Sequence, residues 1–544
     1  MELKGKTILM LGGSGLVGHA VARELLQRGP KRIVLVALYE DEVRAGAASL
    51  APFAGATEIV TEWGDIFVPA DAAKLDRQAI LADQRLRETV LGDLLGELSS
   101  EVLDRNFLFQ LFRRYEPHAV VDCINTATAF AYQDVFHSAR DLLDAARKGP
   151  VTLEQVEEHV LSIPMPQLIR HVQIMLQCLR SFGTEAYVKV GTSGTGGMGL
   201  NIPYTHSEER PSRTLLAKSA VAGAHSLLLW LVARTPGAPA TIEIKPTTAI
   251  AWREIGYGPV RRRGEPVQLY DCPEPLPVTE AFQERAEGWT DMGRLLESVW
   301  ADCGENGLFA RDEFETVTSL RQMEFITPEE VATYVVSELQ GQPTGRDIMA
   351  ALDASTAGPT YQAGLLRAAA IERLDALERE HDLRSVAFEM LGPPRLTKFL
   401  YEAFVLSRLC ASVRVLAESD AKQLARQADA LLKQDAELRS TIVSVGLPII
   451  VPGGKVYRGE LVIIQPDGGD IEAAVARGWV DLRPGSCGTW IRRAQLMVEQ
   501  AGRRDRRTDS GVEWGAIEPD DPIAPSRFAT WIFRYEDEGE RIKR

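Results

Sequence analysis

Cysteine and histidine are scarce in this sequence, and neither occurs in a metal-binding pattern. The six cysteines are widely separated with no Cys-x-x-Cys pair, and the eight histidines form no His-Glu-x-x-His motif. Scattered cysteines of this kind are typical of reduced thiols and argue against a disulfide framework. We therefore expect a cytoplasmic protein without a metal site.

Long apolar runs and a surplus of positive charge are also missing. No uninterrupted run of about 18 apolar residues occurs, and the N-terminus passes from a short apolar run into glycines, unlike a signal peptide. With 61 Lys+Arg against 76 Asp+Glu, the formal charge is −15. Acidic chains bind nucleic acids and anionic membrane surfaces poorly. We expect neither as a partner.

The composition is that of a large globular protein. Apolar residues make up 45% and charged residues 25% of the 544 positions, which is close to the average for folded domains. At roughly 150 residues per domain, the length fits about three to four domains, or one large α/β domain with additions.

The first forty residues have the pattern of a βαβ unit. An apolar run at 7–11 is followed by glycines, a helical periodicity at 16–27 and a second apolar run at 32–38. Such units build parallel sheets. We predict a Rossmann-like, doubly wound α/β fold with helical insertions at about 70–116 and 138–164. Further strands are predicted at 57–61, 119–124, 186–190 and 241–244, and long helices at 166–182 and 215–235.

The C-terminal part of the sequence has a different character. Helical periodicity dominates beyond about residue 340, and strand and turn patterns alternate over 442–495. We predict a first domain at 1–340, a helical extension at 341–440 and a small α+β region at 441–544. Apolar residues at helical spacing within 361–433 indicate core packing or a subunit interface, and we expect a homo-oligomer.

The glycines after the first strand fit a dinucleotide-binding loop. They match both Gly-x-Gly-x-x-Gly and Gly-x-x-Gly-x-x-Gly, between a predicted strand and a predicted helix. Glycines permit a tight turn and close approach of the backbone to the pyrophosphate, and the helix N-terminus favours the anion. The alternative is a turn that only lets strand and helix pack. The predicted cofactor-binding residues here are Gly12, Gly13, Ser14, Gly15, Leu16, Val17 and Gly18.

The acidic residue that would bind the adenosine ribose is less well defined. It is expected at the end of the second strand, about 20 residues after the glycine loop. The first position there is Ala37, and Glu40 and Asp41 follow. Either carboxylate could reach the ribose or stay in solvent, and no arginine follows directly to bind a 2′-phosphate. The choice between NAD and NADP stays open.

At these motifs the sequence resembles the extended short-chain dehydrogenase/reductase superfamily, over roughly residues 1–340. The segment 29–42 looks most like the polysaccharide-biosynthesis branch of NAD-dependent epimerases and dehydratases, where an Asp is usual at the place of Ala37. The resemblance implies a Rossmann-like fold and NAD or NADP as cofactor. It rests on Gly12-x-x-Gly15-x-x-Gly18, Gly64-Asp65-Ile66, Asn125-Thr126-Ala127 and Gly191-Thr192-Ser193.

The resemblance also implies roles for individual residues. Asp65 would hydrogen-bond the adenine, and Thr192 or Ser193 would polarise the reacting carbonyl or hydroxyl. Lys218 would hold the nicotinamide ribose and, in the family, lowers the pKa of a tyrosine one helical turn earlier. Lys245-Pro246 stands where the family usually has Arg-Pro. The further residues expected at the cofactor are Glu40, Ile66, Asn125 and Thr126.

Thr214 occupies the position of that tyrosine, which is the main departure from the family pattern. A threonine hydroxyl is too weak an acid to replace it. In one interpretation another group donates the proton, with Tyr204 preferred and His206 next. In a second, the chain binds a dinucleotide without turning it over. In a third, the assumed register is wrong.

Two hypotheses about function follow. The first is an NAD(P)-dependent oxidoreductase, epimerase or dehydratase acting on a hydroxyl or carbonyl centre, with Ser193, Thr192, Lys218 and Tyr204 at the reacting atoms. The insertions would enlarge the rim of the pocket at the carboxyl ends of the strands, which suggests a bulky small-molecule substrate. The second is a non-catalytic dinucleotide-binding regulatory or scaffold subunit that acts through its C-terminal extension.

Overall fold

A computed structural model describes residues 1–191, 213–246, 252, 254–262, 265–273, 290–302, 308–317, 326–358, 360–388, 395–466, 469–503 and 517–536. These residues fall into two compact units, the first comprising residues 1–357 and the second beginning at Gly358. The boundaries predicted near residues 340 and 440 remain predictions.

The first unit is built on a six-stranded parallel sheet. The strand order is β3-β2-β1-β4-β5-β6, and every neighbouring pair is parallel. The order reverses between β1 and β4, which is where doubly wound sheets bind their ligands. The predicted Rossmann-like fold is confirmed. The strands are β1 Thr7–Leu11, β2 Arg32–Ala37, β3 Glu58–Trp63, β4 Ala119–Asp122, β5 Ala186–Val190 and β6 Ala240–Ile244.

Helices cover both faces of this sheet, so the central strands are apolar without alternation. Residues such as Ile8 and Met10 face one layer, and Leu9 and Leu11 face the other. The two insertions are helical, as predicted. The helices are α1 Leu16–Leu26, α2 Glu40–Leu50, α3 Arg77–Ala82, α4 Gln84–Leu95, α5 Ser100–Arg105, α6 Phe107–Tyr115, α7 Thr126–Ala131, α8 Val135–Lys148, α9 Leu153–Leu161, α10 Pro164–Ser181 and α11 Arg213–Ala233, with a 3-10 turn at Ala51–Phe53.

After β6 the first unit continues with short antiparallel strands that the sequence did not predict. Most of their residues are exposed, so they lack the alternation of apolar and polar residues by which a half-buried strand is recognised. Three helices follow, at Arg311–Val317, Pro328–Leu339 and Ile348–Ser355. The strands are Glu254–Pro259, Arg261–Arg262, Glu265–Pro266, Gln268–Asp271, Thr290–Leu295, Glu297–Asp302 and Leu308–Ala310.

The second unit is mainly helical and contains a three-stranded sheet. The strand-rich segment predicted at 442–495 is only partly correct. Its last part is a helix, Pro484–Arg503, because Trp490, Ala494 and Met497 recur at helical spacing and enter the core. The strands are Ile449–Val451, Lys455–Tyr457 and Val480–Asp481. The helices are Tyr361–His381, Arg395–Leu409, Val413–Ala417, Ala421–Gln434, Ala436–Ser444, Ile471–Arg477, Pro484–Arg503 and Pro525–Tyr535.

Helix α11 is, within the described ranges, the one helix long and apolar enough to cross a membrane by length and composition. Its segment Leu216–Ala233 has a mean hydropathy of 1.5. A search for uninterrupted apolar runs misses it because polar residues interrupt it. Those residues, Lys218, His225 and Ser226, are buried against the rest of the unit. Leu227 and Leu231 are more than half exposed, so the helix is buried on one face only.

Asp347 connects the end of the sheet to the helix at Ile348–Ser355. Its carboxylate accepts hydrogen bonds from the backbone N–H groups of Met349 (2.9 Å), Ala350 (3.3 Å) and Glu243 in β6 (3.1 Å). Replacing Asp347 with alanine should lower the free energy of unfolding by about 2 to 3 kcal/mol, because it removes a cap and leaves the buried Glu243 N–H without this acceptor. Equilibrium urea unfolding measures the loss.

Asp76 provides a matched control for this prediction. It caps the exposed helix α3 through the N–H of Ala79 (2.7 Å) and bonds to none of the described strands. The Asp76→Ala variant should lose about 1 kcal/mol or less. Equal losses in the two variants would show that the bond to β6 adds nothing to stability.

Candidate functional site

The glycine loop at the end of β1 is packed too tightly for side chains. Gly12 has a φ of +71°, and a Cβ there would lie 3.1 Å from the backbone of Cys123 and Ile124. A Cβ on Gly18 would collide with the carbonyl oxygen of Gly12. The loop is therefore held between β4 and α1, with its backbone close to the turn that follows β4. Gly46 of α2, which the sequence analysis missed, also approaches it, since a Cβ there would lie 3.0 Å from Cβ of Ser14.

The N-terminus of α1 has no side-chain cap among the described residues. Gly15 is its N-cap residue, and the first turn contains no acidic residue. The insertion helices α3, α4 and α5 have a side-chain cap, whereas α2 and α10, like α1, have none. Free N–H groups at a helix N-terminus bind anions, with the helix dipole adding to the attraction. These residues fit a dinucleotide pyrophosphate.

The end of β2 carries no acidic side chain. Ala37 is buried, and Leu38 and Tyr39 are exposed after it. Glu40 begins α2, where its carboxylate pairs with Arg44 at 2.5 Å. A ribose at this position would therefore meet a carboxylate already paired with a guanidinium. The geometry leaves the preference between NAD and NADP open.

Asp65 lies at the end of β3, next to Gly64, whose φ of +140° and close neighbours leave no room for a side chain. The carboxylate of Asp65 accepts from the N–H of Phe67 (2.9 Å), and its own N–H donates to the carbonyl of Ala73 (2.7 Å). Burial raises the pKa of this carboxyl. Ile66, by contrast, points into the core.

The turn after β4 is fixed by a buried ion pair that the sequence analysis did not identify. Lys189 Nζ lies 2.9 Å from Asp122 Oδ1, and both side chains are almost completely buried, at 2% and 0% exposure. Lys189 also donates to the carbonyl of Ile124 (2.6 Å) and to Oγ1 of Thr126 (3.1 Å). Asn125 caps α7 by accepting from the N–H of Thr128. The predicted cofactor residues Asn125 and Thr126 are thus held beside Gly12.

The ion pair belongs to a ladder across three strand ends. Asp122, Lys189 and Glu243 are paired in register on β4, β5 and β6. Glu243 is also buried and lies 2.9 Å from Lys245. Lys245, predicted to replace the usual arginine, therefore has an anionic neighbour. In the sequence, this ladder is visible as one charged residue in each of the three strands.

Two neutral histidines lie beside this ladder. Burial lowers the pKa of His171 to about 4, with Asp122 opposing the shift, and lowers the pKa of His225 well below its usual value. Their rings are 6.2 Å apart. Both are uncharged at neutral pH, so they add no positive charge to a site that already contains Lys189 and Lys245.

Lys218 lies in α11 and is 6% exposed. Its Nζ lies 5.8 Å from the ring centroid of Tyr132, the residue that ends α7. Tyr132 is half exposed and was not predicted as a site residue. Backbone helix begins at Arg213, so Thr214 does precede Lys218 by one turn. The predicted residues Thr192, Ser193, Tyr204 and His206 lie outside the described residues.

No group of three or more potential metal ligands occurs among the residues that the structure describes. The groups brought together are the glycine loop, the turn after β4, the charged ladder and Lys218. This arrangement can bind an extended anionic cofactor along the carboxyl ends of the strands. It can also hold a cationic side chain where the nicotinamide end would lie.

Comparison with known proteins adds a match to one family model. The model described as the beta-methylindole-3-pyruvate reductase C-terminal domain matches residues 269–537. No curated protein matches the sequence. The family match covers the end of the first unit and most of the second, and leaves the glycine loop outside it.

Several solved structures of short-chain dehydrogenases and reductases are similar to the chain at low identity. One from Burkholderia cenocepacia in complex with NADP is 15% identical, with a TM-score of 0.29, and the match covers 64% of this chain and 95% of that one. A metagenomic short-chain oxidoreductase in complex with NADP is 12% identical, with a TM-score of 0.26 and coverages of 46% and 86%.

A third similar structure is that of Pen from Bacillus thuringiensis. It is 12% identical with a TM-score of 0.24, and the match covers 46% of this chain and 55% of that one. The chain therefore spans just over half the length of Pen. Scores of this size carry no argument about function, and the fold assignment rests on the strand order of this chain itself.

The packing of Gly18 leads to a prediction about dinucleotide binding. Replacing Gly18 with alanine should weaken the binding of NAD(H) or NADP(H) by at least about tenfold, because the added methyl group forces α1 away from the loop. Calorimetric titration measures the affinity. The control is Gly92→Ala in α4, where a Cβ meets nothing within 4 Å. Equal affinity in wild type and Gly18→Ala would remove the loop from the binding site.

Proposed function

We propose that the chain is an NAD(P)-dependent reductase that acts on the carbonyl group of a bulky substrate. The observation that carries this proposal is the uncapped N-terminus of α1 behind a glycine loop without room for side chains, at the point where the strand order reverses. The match of residues 269–537 to a reductase domain supports the same reaction class. The name of that family suggests a 2-oxo acid with an aromatic side chain as substrate.

The residues of the chain would orient the reactants and supply the proton. The glycine loop and α1 would hold the pyrophosphate, and the turn fixed by Lys189 would border the nicotinamide end. Lys218 would hold the ribose by hydrogen bonds to its hydroxyls. The chemistry that a reduced nicotinamide would supply there is a hydride for the carbonyl carbon, and a proton from the chain would complete the alcohol at the oxygen. Thr192 or Ser193 would bind that oxygen.

The residue that donates the proton is not yet assigned, because Thr214 stands in place of the family tyrosine. Tyr204 remains the donor we propose from the sequence. Tyr132 is a second candidate, since its ring lies beside Lys218 and the residue is half exposed.

Two alternatives remain distinct from this proposal. An epimerase or dehydratase would retain its dinucleotide through the catalytic cycle instead of releasing it. A non-catalytic subunit would bind the dinucleotide and act through its C-terminal part. Mass analysis of nucleotide released on denaturation, followed by titration of the stripped protein, separates tightly retained from exchangeable cofactor.

Changing Lys218 to methionine tests the reductase directly. We expect kcat for reduction of indole-3-pyruvate to fall at least about 100-fold, because the ribose and the donor lose a charged neighbour while the packed volume is retained. Consumption of NADH or NADPH measures the rate. Lys148→Met, at the exposed end of α8, is the matched control and should keep the wild-type rate.

The donor is identified by a pair of conservative variants. Tyr204→Phe and Tyr132→Phe each remove one hydroxyl, and the true donor is the residue whose loss lowers kcat with little change in KM. A scaffold subunit would show no turnover in the wild-type protein and only a modest change in nucleotide affinity in Lys218→Met. That result would overturn the reductase assignment.

We also infer that the protein is a cytoplasmic homo-oligomer. Cys123, Cys178, Cys410 and Cys487 are free thiols, and the 21-residue helix Tyr361–His381 buries none of its residues. Leu365, Leu366 and Leu374 are more than half exposed on this helix. A helix with no buried face is marginally stable in water, so a second copy of the chain is the proposed cover.

Light scattering coupled to size exclusion tests the oligomer. The double variant Leu366→Glu with Leu374→Glu should shift the mass to that of a single chain, because charged side chains resist burial at an interface. Glu372→Lys on the same helix is the control and should keep the wild-type mass. A wild-type protein with the mass of one chain would rule out the proposal.

A further inference from the structure

A partly open cavity adjoins the candidate site, between the insertion helices and α10. Its volume is about 480 Å³, within the range of pockets that bind small molecules. Its wall is mainly aliphatic and aromatic, and it extends from Asp65, at the end of β3, to Tyr132, which contacts Lys218. None of the comparisons assigns a ligand to it.

Most polar groups in the wall are already paired within the protein. Asp93 forms an ion pair with Arg105, Gln167 donates to Gln133 (2.7 Å), and Arg77 donates to the carbonyl of Leu161 (2.9 Å). These groups define the shape of the cavity and leave little hydrogen-bonding capacity for a ligand. A purely hydrophilic ligand would therefore find few partners.

Arg170 and Thr128 are exceptions. Nη2 of Arg170 donates to the carbonyl oxygens of Leu94 and Gly96 at the end of α4, but its Nε and Nη1 are buried and have no hydrogen-bond partner. No carboxylate lies within ion-pair distance of it in the described part of the chain. Buried guanidinium N–H groups without partners are costly, so a ligand atom that accepts hydrogen bonds from them would be favoured. Oγ1 of Thr128, also in the wall, is unpartnered too.

Another part of the wall is aromatic. Phe67 lies 4.7 Å from the ring of Phe130 and 4.7 Å from that of His171. His171 is buried and makes no hydrogen bond with the described residues. Ring edges and faces arranged in this way pack well against another planar ring.

We propose that this cavity binds the substrate of the reductase, with an aromatic body against Phe67 and His171 and a carboxylate at Arg170. This inference rests on the proposed function, because it places an aromatic acid beside the residues assigned to carbonyl reduction. The guanidinium supplies the positive charge that an anionic group requires in an apolar wall. Thr128 is available to donate a further hydrogen bond to the ligand.

The test uses indole-3-acetate and its neutral isostere indole-3-acetamide as probes of the full-length protein, by calorimetry. We expect the acid to bind at least about tenfold more tightly than the amide to wild type, because a charged partner is lost in the amide. In Arg170→Met this preference should disappear. Arg180→Met, an exposed arginine on the same helix, is the matched control and should keep it.

A second variant tests the same cavity in case Arg170→Met does not fold. Val90→Phe adds bulk to the wall of the cavity and should weaken both probes without altering dinucleotide affinity. Equal binding of acid and amide to wild type, or competition of the acid with NADPH at the end of β3, would overturn the inference. Dinucleotide binding without acid binding would defeat this inference alone, whereas acid binding without any dinucleotide binding would defeat the proposed function.

Discussion

The buried pairing of Asp122 with Lys189 is the interaction on which the geometry of the candidate site depends. Moving two charges out of water carries a desolvation penalty of several kcal/mol each, which only close approach and further hydrogen bonds offset. Lys189 has both: the carboxylate at 2.9 Å, and the carbonyl and hydroxyl of the turn after β4. The position of that turn, and with it the space beside Gly12, follows from where the ammonium lies.

The same constraint extends to the last strand of the sheet. Glu243 neighbours Lys189 in register and pairs with Lys245, while its backbone N–H is bonded by Asp347. A Cβ on Gly191 would lie 2.5 Å from the Glu243 carboxylate. A side chain at this position, where the chain leaves β5, would therefore have to displace the Glu243 carboxylate or the Lys245 ammonium.

The sequence predicted the parts of the molecule that depend on local pattern. Apolar runs, the glycine loop and helical periodicity were enough for the parallel sheet and its insertions, because each strand is recognisable by itself. The ladder could not be predicted with equal ease, since Asp122, Lys189 and Glu243 are separated by more than fifty residues and meet only through strand order. The same applies to Tyr132, whose contact with Lys218 joins two helices across the fold.

The departures from the family pattern affect only part of the cofactor cleft. The elements that would contact the pyrophosphate and the ribose on the nicotinamide side, namely the glycine loop and Lys218, match the pattern. The altered positions are Ala37, where the adenosine ribose would lie, and Thr214, where the substrate oxygen would be protonated. A protein that only bound a dinucleotide would need adenosine recognition more than a lysine at the reacting end. The buried Lys218, on a helix otherwise rich in alanine and leucine, is therefore the residue on which our proposal of a catalytic chain depends.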